Sequence, residues 1–354
     1  MHSLRTSLII SAACLLIPGA AAGGDLTLEL AGKAGPGKGK HIVLISGDEE
    51  YRSEEALPML AKILSQRHGF DCTVLFSIDP ATGTINPNIQ TNVPGLESLA
   101  SADLMIIATR FRKLSDEQLK PIASYLRSGK PIIGLRTATH AFTGDAVTDD
   151  FKWSEFGLLV LGEKWVDHHG KHKVQGTRGV IEAANARHPL LNGVKDVFGI
   201  SDVYTVANLG PDATILLRGA VTESLEPRSR AVEGKLNDPM MPIAWLRDYA
   251  VLGGTKGRAF CTTMGAAVDF ENADLRRLLV NASYHLTGLK VSAAADVDLV
   301  DPYRATFYGS IRAKDAWKNR ALKPVDFGLG KATVPFAAGP MQPSGDSAAV
   351  RPDR

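Results

Sequence analysis

Three continuous apolar runs limit what this chain can fold into: His41-Ile42-Val43-Leu44-Ile45-Ser46-Gly47, Leu104-Met105-Ile106-Ile107-Ala108 and Pro131-Ile132-Ile133-Gly134-Leu135. A strand that is apolar at every position, not at every second one, is covered on both faces, the usual state of a parallel strand between helical layers. The segments between these runs have helical spacing. Leu57, Leu60, Ala61 and Leu64 form one stripe, with Ser53 as the expected cap, Glu54 and Glu55 near the helix dipole, and Gly69 as the stop. Ser115-Asp116-Glu117 opens a second helix that runs to Gly129. Cys72-Thr73-Val74-Leu75-Phe76 supplies a further strand. The alternation predicts an α/β fold: a doubly wound, mostly parallel sheet with helices on both faces, of the flavodoxin-like kind.

Later strands are expected over residues 179–183 and 214–218, with a strand pair over 243–246 and 258–263 joined by a Gly-rich connection. Asn272 caps a last helix whose stripe is Leu275, Leu278, Leu279 and Ala282. The expected division is a signal peptide over 1–22, a Gly/Lys-rich linker over 23–39, one domain over 40–290 and an irregular extension over 291–354. The end of that extension, rich in Pro, Ser and Gly, is expected to be disordered.

Arg5, the apolar stretch 8–17 and the small residues 19–23 form the pattern of an export signal. The apolar stretch is too short to span a bilayer. A periplasmic or extracellular protein is therefore expected. Lipid attachment at Cys14 is the less favoured alternative. With 40 Lys and Arg against 38 Asp and Glu, the net charge of +2 gives no electrostatic reason for a nucleic-acid partner. The two cysteines beyond the signal, Cys72 and Cys261, read as buried thiols; export permits a bridge but two residues make no framework. No cofactor is assigned, and the assembly state, homo-oligomer included, stays open.

In open α/β sheets, ligands gather beyond the carboxyl ends of the strands. That rule nominates Asp48, Glu49 and Tyr51 after the first run and Arg110 after the second. After the third it nominates Arg136, Thr137, Thr139 and His140. Arg136 offers a fixed donor fork to a carbonyl or hydroxyl, or else pairs with a buried carboxylate; His140 suits a general acid or base. In His168-His169-Gly170-Lys171-His172, His168 and His172 would share a helix face with metal-ligand spacing. Gly170 and the lysines favour a loop, and Asp167 is the single carboxylate close by, so no metal is assigned. Substrate contact by His168 and His172, with proton transfer by His169, is preferred. Trp165 stands ahead of Trp153 and Trp245 as an aromatic platform, with Tyr204 beside it; Asp202 or Asp238 is a candidate second carboxylate.

The first strand and its turn, the Gly134-Leu135-Arg136-Thr137-Ala138-Thr139-His140 elbow, His188-Pro189-Leu190-Leu191-Asn192-Gly193 and Ser201-Asp202-Val203-Tyr204 together resemble the trehalose-utilisation, or ThuA-like, family. Asn237-Asp238-Pro239-Met240-Met241-Pro242 with Thr262-Thr263-Met264-Gly265-Ala266 is similar to an exported bacterial subgroup of it. The resemblance implies the fold of class I glutamine amidotransferases and a link to sugar metabolism. Those relatives carry a nucleophilic cysteine at the elbow, where this chain has Arg136, and a histidine after a late strand, where it has Met264-Gly265-Ala266. Glutamine hydrolysis is thereby excluded. The expected function is acid–base chemistry on a saccharide or keto-glycoside, hydrolysis or isomerisation, the substrate class coming from the resemblance. A non-catalytic carbohydrate-binding or scaffold protein and a metal-dependent hydrolase are the alternatives.

Overall fold

Ile42 and Leu44 face one side of the sheet, Val43 and Ile45 the other, and each pair is buried in a different hydrophobic cluster. Successive side chains of a strand alternate faces, so a run apolar throughout needs two covers. In the computed structural model, which describes residues 26–310 and 315–335, those covers are helices. Helices α1 (Ser53–His68) and α3 (Ala273–Leu286) pack on one face, and α2 (Asp116–Arg127) on the other. The expected signal peptide and the expected disorder at the far end lie outside the described residues.

The sheet has ten strands: β1 (Thr27–Leu30), β2 (His41–Gly47), β3 (Asp71–Leu75), β4 (Leu104–Thr109), β5 (Ile132–Leu135), β6 (Thr177–Ile181), β7 (Phe198–Gly199), β8 (Thr214–Val221), β9 (Met241–Tyr249) and β10 (Gly257–Thr262), in the order β1-β3-β2-β4-β5-β10-β9-β8-β6-β7. The expected parallel arrangement holds for the central block β3-β2-β4-β5-β10. Antiparallel strands flank it on both sides, and β9 and β10 form the expected hairpin. Strand β1 falls inside the stretch read as a linker; its Leu28 and Leu30 are buried, and it covers the edge of β3. The register matters for function. Gly47 pairs with Thr109, and Leu135 pairs with Thr262, so β2, β4, β5 and β10 deliver their following loops to one edge.

Ser115 and Asn272 cap α2 and α3 as expected, accepting from Gln118 N at 3.5 Å and Leu275 N at 2.8 Å. Ser53 does not cap α1. Arg52 precedes that helix in the left-handed region at φ 60°, and the Ser53 hydroxyl ties the helix to β2 through Ser46 Oγ (2.8 Å) and Gly47 N (3.1 Å). Glu54 and Glu55 are buried, not set in solvent at the helix dipole. The cause is the segment from residue 292, which crosses the outer side of α1. Glu55 accepts from Thr306 N and Oγ1, both at 2.7 Å; Lys62 pairs with Asp301 at 2.7 Å; and the Tyr303 hydroxyl donates to Ala267 O at 2.7 Å. Its one described helix is α4 (Ala316–Arg320). Cys72 and Cys261 are free and buried, and burial pushes both thiols up from their usual range. No helix among the described residues is long and apolar enough to cross a membrane.

Candidate active site

Arg136, directly after β5, has φ 45°, and the chain turns at once into a short 3-10 turn, Arg136–His140. A non-glycine residue in that region costs on the order of 1–3 kcal/mol and persists where its surroundings over-determine it. They do so here. The Arg136 guanidinium is 1 % exposed and donates to Asp202 O (2.7 Å), Thr263 O (2.8 Å), Tyr51 Oη (3.1 Å) and Asp202 Oδ1 (3.1 Å). It lies between two rings, 4.5 Å from the centroid of Tyr51 and 3.8 Å from that of Tyr204. The elbow thus points its residue inward, and both terminal nitrogens of the proposed catalytic arginine are used to hold Asp202.

The turn after β2 is built the same way. Asp48 Oδ1 accepts from Glu50 N (2.8 Å) and Tyr51 N (3.0 Å), while Oδ2 accepts from Thr137 Oγ1 at 2.7 Å. Glu49 is paired with Arg110 and with Arg112, the latter at 2.6 Å. Asp48, Glu49, Tyr51, Thr137 and Thr139 are all buried, and the Thr139 hydroxyl bonds Arg136 O and His140 Nδ1. These residues join the two turns through contacts with one another. Glu50, absent from that reading, is the carboxylate beside the histidines. Its Oε1 is 3.4 Å from His172 Nε2 and its Oε2 3.3 Å from Arg110. Burial alone would raise it, but the His172 hydrogen bond and the Arg110 charge outweigh that and hold it at about 2.

The histidine cluster is a loop. His168 bridges to Tyr204, Thr205 N donates to Asp167 O at 2.9 Å, and His169 N donates to Val203 O at 2.8 Å. Side chains alternate along such an extended pairing. His168 turns to Asp202, with Nδ1 2.6 Å from Oδ2, whereas His169 turns away and bonds Leu236 O at 2.7 Å through Nε2. His169 thus faces away from the Asp202 cluster. His172, in the tight turn that follows, places Nδ1 2.9 Å from Asp202 Oδ1. The His168 and His172 rings are 4.4 Å apart, and their side chains keep 31 % and 23 % exposure, so solvent reaches both.

Asp202 is therefore the centre of the site. It is 1 % exposed, and the preceding Ser201 is fixed through N (3.0 Å) and Oγ (2.6 Å) to Asp269. Burial opposes its ionisation, but Arg136, His168 and His172 prevail and keep the carboxyl well below its usual range. His172 is raised: burial works against its charge, and the hydrogen bonds to Asp202 and Glu50 more than compensate. His140 is driven the other way, first by the protein packed around it and then by the Arg110 charge, both of which disfavour the protonated imidazole. It is a partly exposed ring 5.6 Å from Trp165, 6.4 Å from Tyr204 and 4.9 Å from Phe111. Trp165 also meets His168 at 5.8 Å. Trp153 and Trp245 are core residues, and Asp238 is exposed in a turn.

One wall was not legible. Tyr308, from the C-terminal segment, stacks on Tyr51 at 5.1 Å and meets His172 edge-on at 5.3 Å. Glu50 was nearer to hand: an aspartate two residues ahead of it makes an Asx turn, which uses the first carboxylate inward and leaves a later one free.

The trehalose-utilisation (ThuA) family profile matches residues 42–285. Among solved structures, a ThuA-like protein from Parabacteroides merdae is 16 % identical, with a TM-score of 0.45 over 72 % of this chain and 92 % of that one. Another, from Bacteroides uniformis, is 14 % identical, with a TM-score of 0.43 over 72 % and 94 %. No curated protein matches. From β2 to the end of α3, with the elbow and the Asp202 segment inside the matched span, this chain belongs to the ThuA family.

Proposed function

We propose that the protein acts on a saccharide by acid–base chemistry at the surface formed by Trp165, His140 and His168. The observation that carries this is the pair of ring contacts that sets Trp165 5.6 Å from His140 and 5.8 Å from His168: an indole flanked by two imidazoles. An aromatic face suits the C–H side of a sugar ring, with its polar edge left for hydrogen bonds. His140, biased toward its neutral form, accepts a proton from a sugar hydroxyl or from a carbon next to a carbonyl. The family's association with trehalose utilisation points to a disaccharide or its keto derivative as the substrate. The export-signal pattern over residues 1–22 supports a periplasmic or extracellular setting for this activity.

The test is carbon NMR of trehalose and keto-disaccharides incubated with the protein between about pH 5 and about pH 9, where imidazole charge changes. Turnover is expected, and His140→Ala should lower kcat by about 100-fold or more with little change in binding. Saturable binding without any product would make the protein a carbohydrate-binding module instead.

A further inference from the structure

Among the described residues, one triple of metal-ligating side chains converges: His168, His172 and Asp202, with ligand atoms all within 4.8 Å of one another. We propose that these three bind a divalent transition-metal ion, leaving open coordination positions on the solvent-exposed side of the two histidines.

The spacing fits. Each histidine Nδ1 now stands 2.6 or 2.9 Å from an Asp202 oxygen. Around an ion with bonds of about 2.0–2.2 Å in tetrahedral array, ligand atoms lie roughly 3.3 Å apart. The three ligand atoms already lie within 4.8 Å of one another, and both histidines sit on a loop rather than in a packed helix.

The surroundings fit as well. A ligating imidazole commonly donates its other nitrogen to a carboxylate, and a ligating carboxylate is itself hydrogen-bonded. His172 Nε2 faces Glu50 at 3.4 Å, Glu50 is held by Arg110, and Asp202 is held by Arg136. Glu50 is thus a positioning residue for His172. The nearby cations do not forbid the ion, because Asp48, Glu49, Glu50 and Asp202 outnumber Arg110, Arg112 and Arg136 in this connected network. Two imidazoles and one carboxylate select zinc, manganese, iron, cobalt or nickel over magnesium and calcium. Three protein ligands with an open side are the pattern of a catalytic site, whereas structural zinc closes all four positions.

Metal uptake can be read without any substrate, so this inference stands or falls apart from the saccharide assignment. The full chain is freed of metal with a chelator, then titrated calorimetrically with Zn2+, Mn2+ and Co2+, and the loaded protein is measured by elemental analysis. One ion per chain is expected. His168→Gln and His172→Gln should each weaken binding by about 100-fold or more, and Glu50→Gln by about 10-fold. His169→Ala, whose ring bonds Leu236 O outside the cluster, should bind as the parent does. Circular dichroism checks that each variant is folded. No heat and no retained ion with all three metals would overturn the proposal, as would binding that survives both glutamine substitutions.

Discussion

Single side chains in this protein do work that their local sequence does not announce. Arg136 pairs with Asp202 at 1 % exposure, and its loss would leave a buried carboxylate without its cation. Breaking such a pair from one side costs about 3–5 kcal/mol. Arg136→Gln should lower stability by that amount in urea unfolding, and a loss under about 1 kcal/mol would show that Asp202 does not depend on it. Glu54 is the opposite case. Among the described residues neither of its oxygens has a hydrogen-bond partner, and burial, opposed by Arg52, raises its carboxyl from 4.5 to about 8. Such a group stays neutral in the fold while the unfolded chain ionises. Its contribution to stability is therefore greatest below 4.5, falls as pH rises to about 8, and is level beyond. Glu54→Gln removes the titration. Its melting temperature relative to the parent should rise between about pH 5 and about pH 8.5, with roughly 4 kcal/mol more benefit at the higher value; an unchanged difference would refute the assignment.

At the scale of elements, the strands and helices were mostly readable and the way they are tied together was not. The all-apolar runs of β2, β4 and β5 specify burial on both faces, and the caps Ser115 and Asn272 mark real helix starts. Ser53 failed as a cap because its hydroxyl found Ser46 and Gly47, partners fixed by a tertiary contact. The loops followed their strands to one edge as topology requires, which brought Asp48, Arg110 and Arg136 together. Which side chain of each turn faces outward depended on hydrogen bonds within the turns. Asp48 and Arg136 went inward and Glu50 outward for that reason. The segment from residue 292 carries no periodicity, so nothing in its spacing indicated that it binds α1 and supplies Tyr308. Tyr308→Ala removes the stack on Tyr51 and the hydroxyl contacts with Ile200 O and Lys173 N, both 3.2 Å. Hydrogen exchange should then speed up over residues 301–309 by about 10-fold or more while α2 is unaffected; equal protection in both proteins would show that the ring is not what anchors the segment.

Across the whole molecule, the parallel block and its C-terminal edge could be inferred from composition and order, since they follow from burial and chain connectivity. The contact between His168, His172 and Asp202 could not, because residues 30 to 34 positions apart meet through a pairing of two irregular segments. Trp165 was chosen for its neighbours in sequence and does share ring contacts with His140 and His168. His169 was chosen on the same ground and faces elsewhere, since adjacent residues in extended chain look opposite ways. The closing segment bears on where this protein begins and ends in practice. The span shared with the family stops at residue 285, yet the aromatic wall beside His172 is Tyr308, and the β3 edge is sealed by Thr27–Leu30. A fragment trimmed to the family's borders would keep His140, His168 and His172 and still lack the aromatic ring that stands beside His172. It would also bare a strand rim ready to pair with another copy.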